Sequence, residues 1–183
     1  MPDFVQLDKS LHDRTTFDCG EEELNAFLKT KAVAHQSANI SRTMVLTGDS
    51  NNTGKHTIQA FYTVSATTIE RDTLPVPKAK KLPHYPIPVF LLAQLAVDTE
   101  CRGSGLGKIS LICSLQYLYE ISKEMPAYAV VVDCLNTQAE QFYLKYGFEE
   151  LCEVNGRQRL YMPMKTVAEL FSCLLYTSPS PRD

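Results

Sequence analysis

The run Arg102-Gly103-Ser104-Gly105-Leu106-Gly107-Lys108 has the types and spacing to do chemistry. Three alternate glycines let a backbone approach a ligand closely. Leu106, Ile109, Ile112, Leu115, Leu118 and Ile121 then recur at helical spacing, which predicts a helix opening directly from the loop. The first amides of a helix lack intrahelical acceptors and its dipole is positive there, so phosphate is the natural occupant. Arg102 and Lys108 add positive charge at the mouth. The P-loop pattern fails twice: Arg102 stands where its first glycine belongs, and Ile109 follows Lys108 where a hydroxyl residue is needed. The dinucleotide pattern G-x-G-x-x-G fails once, because Lys108 occupies the third glycine position.

A second constellation lies further on: Asn136-x-x-Ala139-x-x-Phe142-Tyr143-x-x-x-Gly147-Phe148. Thr137-x-x-Glu140 reads as a capping box and Gly147 as the glycine just past a helix end. Tyr143 is the candidate proton donor. A phenol with a pKa of about 10 stays protonated beside a leaving thiol of about 8.5. Phe142, Tyr146 and Phe148 read as core.

These residues need elements to hold them. Val89–Val97 and Ala127–Cys134 are almost continuous apolar runs, as expected of strands buried on both faces, one before each constellation. Upstream, Phe4–Leu7 reads as a short strand. Asp18 with Glu21 reads as a helix start, with Leu24, Phe27, Leu28, Ala32 and His35 along the helix. Ser41–Thr47 and Thr57–Ile69 read as a hairpin whose turn lies at residues 48–52. Residues 73–88 hold five prolines among Lys78, Lys80 and Lys81 and read as a basic loop. Phe148–Glu153 and Gln158–Met164 read as a final hairpin across Asn155-Gly156.

Arg102, Gly105 and Gly107 meet the pattern Arg/Gln-x-x-Gly-x-Gly/Ala, and Asn136–Phe148 follows with a strand between. Together they resemble the GNAT acyl-CoA N-acyltransferases. The resemblance implies an α/β (α+β) GNAT fold, with a mixed, mostly antiparallel sheet, a splay between two parallel strands, and flanking helices. Acetyl-CoA would wedge into the splay. Backbone groups of Leu95, Ala96 and Val97 would pair with the acetyl carbonyl and pantetheine. Backbone amides of Gly103, Ser104, Gly105, Leu106, Gly107 and Lys108 would hold the pyrophosphate, with Arg102 opening the motif. Asn136 would contact the pantetheine arm, and Tyr143 would be the general acid.

Phe17-x-Cys19-Gly20-x-x-x-Leu24-x-x-Phe27-Leu28, Ser41-Arg42-Thr43, the proline-rich loop and Leu95-Ala96-Val97-Asp98 add a closer likeness. Over residues 4–170 the chain is similar to the acetyltransferase toxins of bacterial toxin–antitoxin modules. That implies acetylation of the α-amino group of an aminoacyl-tRNA, a block of translation, a ribbon-helix-helix antitoxin, a homodimer and a cytoplasmic place of action. No residue in the motifs stands out as a general base. An α-amino group, with a pKa of about 7.7–8.0, needs less help than a lysine at about 10.4. The tRNA track would run over Lys29, Lys31, Arg42, Lys78, Lys80 and Lys81, as phosphate contacts that set affinity and not sequence choice. Gln94 stands where arginine is frequent before Leu-Ala-Val-Asp. A GNAT enzyme acting on a small amine or protein N-terminus is the alternative, and a non-enzymatic CoA- or antitoxin-binding module is a third reading.

The net charge of −3 argues against nucleic acid only until it is divided. Residues 1–28 carry two basic and seven acidic side chains, residues 29–108 ten and five, and residues 109–183 six and nine. Every proposed RNA contact falls in the basic middle. The 183 residues, 44% hydrophobic, suit one soluble domain. No uncharged apolar run nears the roughly 20 residues needed to span a bilayer, and Met1–Phe4 begins no secretory signal. Six cysteines without a C-x-x-C pair and four scattered histidines predict free thiols and no metal. The GNAT domain is expected over residues 1–171. Residues 172–183, with the run Ser-Pro-Ser-Pro-Arg, read as an unstructured, non-native tail.

Overall fold

The computed structural model describes residues 1–176, with side chains through Ser172. One sheet, mostly antiparallel, runs in the order β1 (Val5–Gln6), β3 (Arg42–Ser50), β4 (His56–Ile69), β5 (Ile87–Val97), β6 (Ala129–Asp133), β8 (Arg157–Pro163), β7 (Glu149–Val154). A short β2 (His12–Asp13) pairs with β4 in parallel. The two long parallel neighbours are β5 and β6, with Phe90 opposite Val130 and Leu91 opposite Val131. Such pairs need a crossover, and α4 (Leu106–Ser122) supplies it. Ala129–Val132 are fully buried, as a strand covered on both faces requires.

The chain divides into two compact units. The first is residues 1–65 with 92–114, and the second is residues 66–91 with 115 onward. The core of the first gathers Leu7, Phe17, Leu28, Val45, Phe61 and Ala96. Phe17 and Phe61 meet edge to face at 5.3 Å. The core of the second gathers Ile69, Leu74, Val89, Val131 and Tyr161. The boundary crosses β5 between Leu91 and Leu92, directly before the stretch that carries Leu95–Val97.

Several local expectations are corrected. The helical segment is α1 (Glu22–Ala26), a π-turn (Phe27–Lys31) and α2 (Ala32–Ser37), so its period is locally wider than the spacing implied. Asp18 does not cap it: its Oδ1 accepts from the Gly20 amide at 2.8 Å and from Asn25 Nδ2 at 2.9 Å. β3 continues through Ser50, because Gly48 and Asp49 fit a bulged ladder, and the turn moves to Asn51–Gly54. The proline-rich segment holds a 3-10 turn (Arg71–Thr73) and a helical turn, α3 (Val76–Ala79), since Pro77 falls in its first turn, where no amide is needed. The last hairpin turns at Asn155-Gly156 as expected, with φ of 52° and 77°, the signature of a type I′ turn. Helix α6 (Met164–Tyr176) enters the segment expected as tail, because Val167 and Phe171 carry its buried stripe on from Met164. Residues 177–183 lie outside the described residues.

Candidate active site

The glycine loop is built by a tight exit from β5. The Asp98 carboxylate accepts from the Glu100 amide at 2.9 Å and caps a 3-10 turn over Thr99–Cys101. The Arg102 amide is spent on that turn, reaching the Thr99 carbonyl at 3.4 Å. Gly103 and Gly105 follow with φ of +82° and +75°, conformations that strain any L side chain. Ser104 Oγ donates to the Cys101 carbonyl at 2.7 Å and stiffens the bend. A Cβ at Gly103 or Gly105 would meet nothing within 4 Å, so both face open space. Leu106 and Gly107 begin α4, and the Ile109 amide is the first to reach back, to the Gly105 carbonyl at 3.2 Å. The Gly105–Lys108 amides therefore have no intrahelical acceptor, and no acidic side chain stands in the first turn. The arrangement is an anion cradle, with Lys108 exposed beside it.

Arg102 has a role that the sequence reading lacked. Its Nη2 donates to the Cys19 carbonyl, so the exposed guanidinium at the mouth also clasps the loop to that segment. Gly20 makes room for it: a Cβ there would stand 3.1 Å from Nη2. Asp98 closes the same clasp from the other side. Its Oδ2 accepts from the Asp18 amide at 3.0 Å, and the Thr99 amide donates to the Asp18 carbonyl at 2.8 Å. The amide bond from Gly20 and the bond from Asn25 hold the Asp18 carboxyl below its usual range, and Arg102 adds to this. The Cys19-Gly20 and Asp98 motifs are thus two halves of one structural joint. No position of Asp98 in the motif pointed to this; a glycine at 20 was the only signal. Leu95 and Val97 are half-buried and Ala96 is buried, facing Phe61 and Phe17 in the core.

In the second unit, Asn136 and not Thr137 caps α5 (Thr137–Lys145). Its Oδ1 accepts from the Ala139 amide at 2.9 Å. The other end closes as a Schellman motif: the Gly147 amide donates to the Leu144 carbonyl at 3.2 Å and the Phe148 amide to the Tyr143 carbonyl at 3.2 Å, with Gly147 at φ +98°. This geometry grips Tyr143. Its ring meets Phe148 at 5.4 Å and Phe142 at 5.2 Å, both edge to face. Only 8% of the residue is exposed. Burial, with Cys134 nearby, raises the Tyr143 hydroxyl well above its usual range, so it is fully protonated at neutral pH. Burial likewise pushes the Cys134 thiol up to about 11. A two-pronged pair, Arg159 to Asp133 at 2.6 and 2.8 Å, fixes the end of β6 just before these residues.

The proposed basic track divides. Lys29, Lys31, Arg42, Lys80 and Lys81 are exposed. Lys78 is not a spare charge: its Nζ donates to Tyr161 Oη at 2.8 Å and to Glu149 at 3.2 Å, and these bonds raise its pKa. Lys29 and Lys31 lie on the π-turn, where Arg14 Nη1 donates to the Lys29 carbonyl at 2.9 Å. Among the described residues no three His, Cys, Asp or Glu side chains group as metal ligands, and no helix is long and apolar enough to cross a membrane.

No protein-family model matches the chain. It is 29% identical over 137 residues to the tRNA-acetylating toxin of Mycobacterium tuberculosis (strain ATCC 25618 / H37Rv), covering 75% of this chain and 78% of the relative. The structure of AtaT complexed with acetyl-methionyl-tRNAfMet is 31% identical, with a TM-score of 0.81, covering 92% of this chain and 98% of AtaT. A tyrosine-to-phenylalanine mutant of the toxin AtaT, bound to the C-terminus of the antitoxin AtaR and to acetyl-CoA, is 26% identical with a TM-score of 0.76, covering 93% of this chain and 98% of that one. Likeness over nearly the whole length, on a fold with an anion cradle after one buried strand and a buried tyrosine after the next, places the chain in a family: it belongs to the tRNA-acetylating toxins of the GNAT type.

Proposed function

We propose that this chain transfers the acetyl group of acetyl-CoA to the α-amino group of an aminoacyl-tRNA. The observation that carries the reading is the open glycine cradle at the start of α4, in a chain 31% identical to AtaT along 98% of AtaT's length. The Gly103–Lys108 amides hold the cofactor's pyrophosphate. The stretch Leu95–Val97 pairs with the acetyl carbonyl and the pantetheine arm, polarising the carbonyl through a backbone donor. Asn136 lies along that arm, with its Oδ1 already engaged in capping α5. The amine nitrogen attacks the acetyl carbon, a C–N bond forms and the C–S bond breaks. Tyr143 gives its proton to the departing thiolate, and the amine's surplus proton leaves to water.

Lys29, Lys31, Arg42, Lys80 and Lys81 supply phosphate contacts to the tRNA, while Lys78 braces the segment that carries Lys80 and Lys81. The work takes place in the cytoplasm, where charged tRNA is found. The chain forms a homodimer and is neutralised by an antitoxin of the ribbon-helix-helix type. This last point extends from AtaT, which has been seen with the antitoxin AtaR.

Transfer of labelled acetyl from acetyl-CoA to charged tRNA tests the reading. Tyr143→Phe should lower the rate by about 100- to 10,000-fold, the range of a lost general acid. If charged tRNA stays unlabelled while a polyamine or a peptide N-terminus is acetylated, the acceptor is a small amine or a protein. No turnover with any amine would leave a binding module.

A further inference from the structure

Among the described residues, Tyr85 is the one aromatic ring left in water: the residue is 63% exposed, and every other Phe or Tyr is at least partly buried. One exposed apolar side chain is ordinary in itself. The backbone that carries this one is not, because it is anchored several times over. Leu74, Ala79 and Ile87 fix the proline-rich segment in the second unit's core. The Arg71 guanidinium ties its turns together. Its Nε donates to the Ala79 carbonyl at 2.7 Å and to the Leu82 carbonyl at 3.1 Å, and its Nη1 to His84 Nδ1 at 3.2 Å. Lys78 pins α3 to Glu149 and Tyr161. Pro83 and Pro86 then bracket Tyr85, and the residue before a proline is confined to extended backbone. A ring held this way has little beyond its two side-chain torsions to lose on meeting a partner. Lys80 and Lys81, on the same braced segment, are exposed as well.

A flat ring beside free cations suits single-stranded nucleic acid. The cations take phosphates and the ring takes a base, since every base offers a π-face. A duplex hides those faces in its own stack, so the base must be unpaired. The segment is also tied to the proton donor: Glu149, which holds Lys78, follows Phe148, whose ring meets Tyr143 at 5.4 Å. We propose that Tyr85 is a stacking platform for an unpaired base of the substrate tRNA, in the single-stranded 3′ end that carries the acceptor amine. This rests on the aminoacyl-tRNA reading above and adds to it a contact that is neither to phosphate nor to the amino acid. Stacking tolerates any base, so the platform contributes affinity and placement without choosing among tRNAs.

The test uses the full chain, acetyl-CoA and charged tRNA. Tyr85→Leu keeps apolar bulk and removes the flat ring. It should raise KM for charged tRNA about fivefold or more, with kcat within twofold. The slope of log Kd against log salt should not move, whereas it falls when a phosphate contact is lost. Tyr85→Phe should keep KM within twofold of wild type. The chain contains no tryptophan, so Tyr85→Trp installs a single fluorescent reporter on the platform. Its emission should be quenched by charged tRNA and not by the same tRNA shortened by its unpaired 3′ nucleotides, although the shortened RNA still meets the lysines. An unchanged KM in Tyr85→Leu, a salt slope that falls with it, or equal quenching by the shortened tRNA overturns the platform and leaves the aminoacyl-tRNA reading intact. An indole unmoved by either RNA does the same and leaves the ring to a protein partner. Wild-type protein that fails to acetylate charged tRNA overturns that reading, and the platform with it.

Discussion

Replacing Arg102 with alanine separates two roles for the first residue of the glycine motif. The pattern alone assigns it to the phosphate. In the fold its Nη2 donates to the Cys19 carbonyl, in a residue only 3% exposed. A hydrogen bond from a charged donor contributes about 1.5–3 kcal/mol, and Arg102 is itself exposed, so about 1.5 kcal/mol is the expected loss. The bond from the Asp18 amide to Asp98 Oδ2 and the bond from the Thr99 amide to the Asp18 carbonyl still hold Asp18, which keeps the joint from opening altogether. At about 2–4 °C per kcal/mol for a chain of this size, Tm should fall by about 3–6 °C. The cradle amides do not involve this side chain, so the Kd for acetyl-CoA should change less than threefold and its salt dependence should stay the same. Scanning calorimetry and acetyl-CoA titrations at several ionic strengths read both quantities. An unchanged Tm, with a tenfold weaker Kd and a flatter salt dependence, would refute the clasp and return Arg102 to the phosphate.

The lysines should part in the same way. Lys80→Ala with Lys81→Ala should leave Tm unchanged but weaken charged-tRNA binding, with the log–log salt slope reduced by about 1–2. Lys78→Ala, which loses bonds to Tyr161 and Glu149, should lower Tm by about 2–4 °C, or about 1 kcal/mol after allowing for solvent screening. Acid should expose His12, which is 5% exposed and whose Nδ1 accepts from the Asp8 amide at 2.9 Å. Burial lowers its pKa, against the pull of Asp8 and with the push of His56, so below about pH 6.5 the unfolded chain takes up a proton that the native state refuses. Stability should therefore be flat above that pH and fall from there towards pH 5, before the lowered Asp8 and Asp13 carboxyls add their own loss near pH 4. His12→Gln should flatten the fall between pH 6.5 and 5 in a Tm series.

What could be read from the sequence was whatever local chemistry decides. The buried runs at β5 and β6, the glycine loop, the Asn155-Gly156 turn and Gly147 all follow from backbone rules acting over a few residues. Contacts between distant segments were not legible. Nothing in the order of residues says that Arg102 spends its charge 83 residues upstream, or that Lys78 meets Glu149 and Tyr161 across 71 and 83 residues. The same holds for β2, two residues long, whose pairing depends on where β4 lies. The charge division by segment pointed to the basic middle, but not to which cations there are already committed. At least four of the ten, Lys55, Arg71, Lys78 and Arg102, are held by bonds inside the fold.

That division explains why a spacing motif can be strict when few of its residues touch a ligand. In Tyr143-x-x-x-Gly147-Phe148, only Tyr143 carries a reactive group. Gly147 is fixed because its φ of +98° closes the Schellman motif, and that closure brings the Phe148 amide to the Tyr143 carbonyl and the Phe148 ring to the Tyr143 ring. Lengthen the interval by one residue and the tyrosine keeps its place on the helix but loses both restraints. In Arg102-x-x-Gly105 the same logic runs in reverse. Arg102 anchors the loop to Cys19, and its own amide closes the 3-10 turn, so the amides that remain for an anion begin one residue later, at Gly103. The three-residue spacing measures the distance from the anchor to Gly105, the last residue before α4, with the first cradle amide at Gly103 between them. Each motif therefore pairs one group that could meet the substrate with neighbours that fix where it stands, and a proton donor or anion cradle acts only from a fixed position.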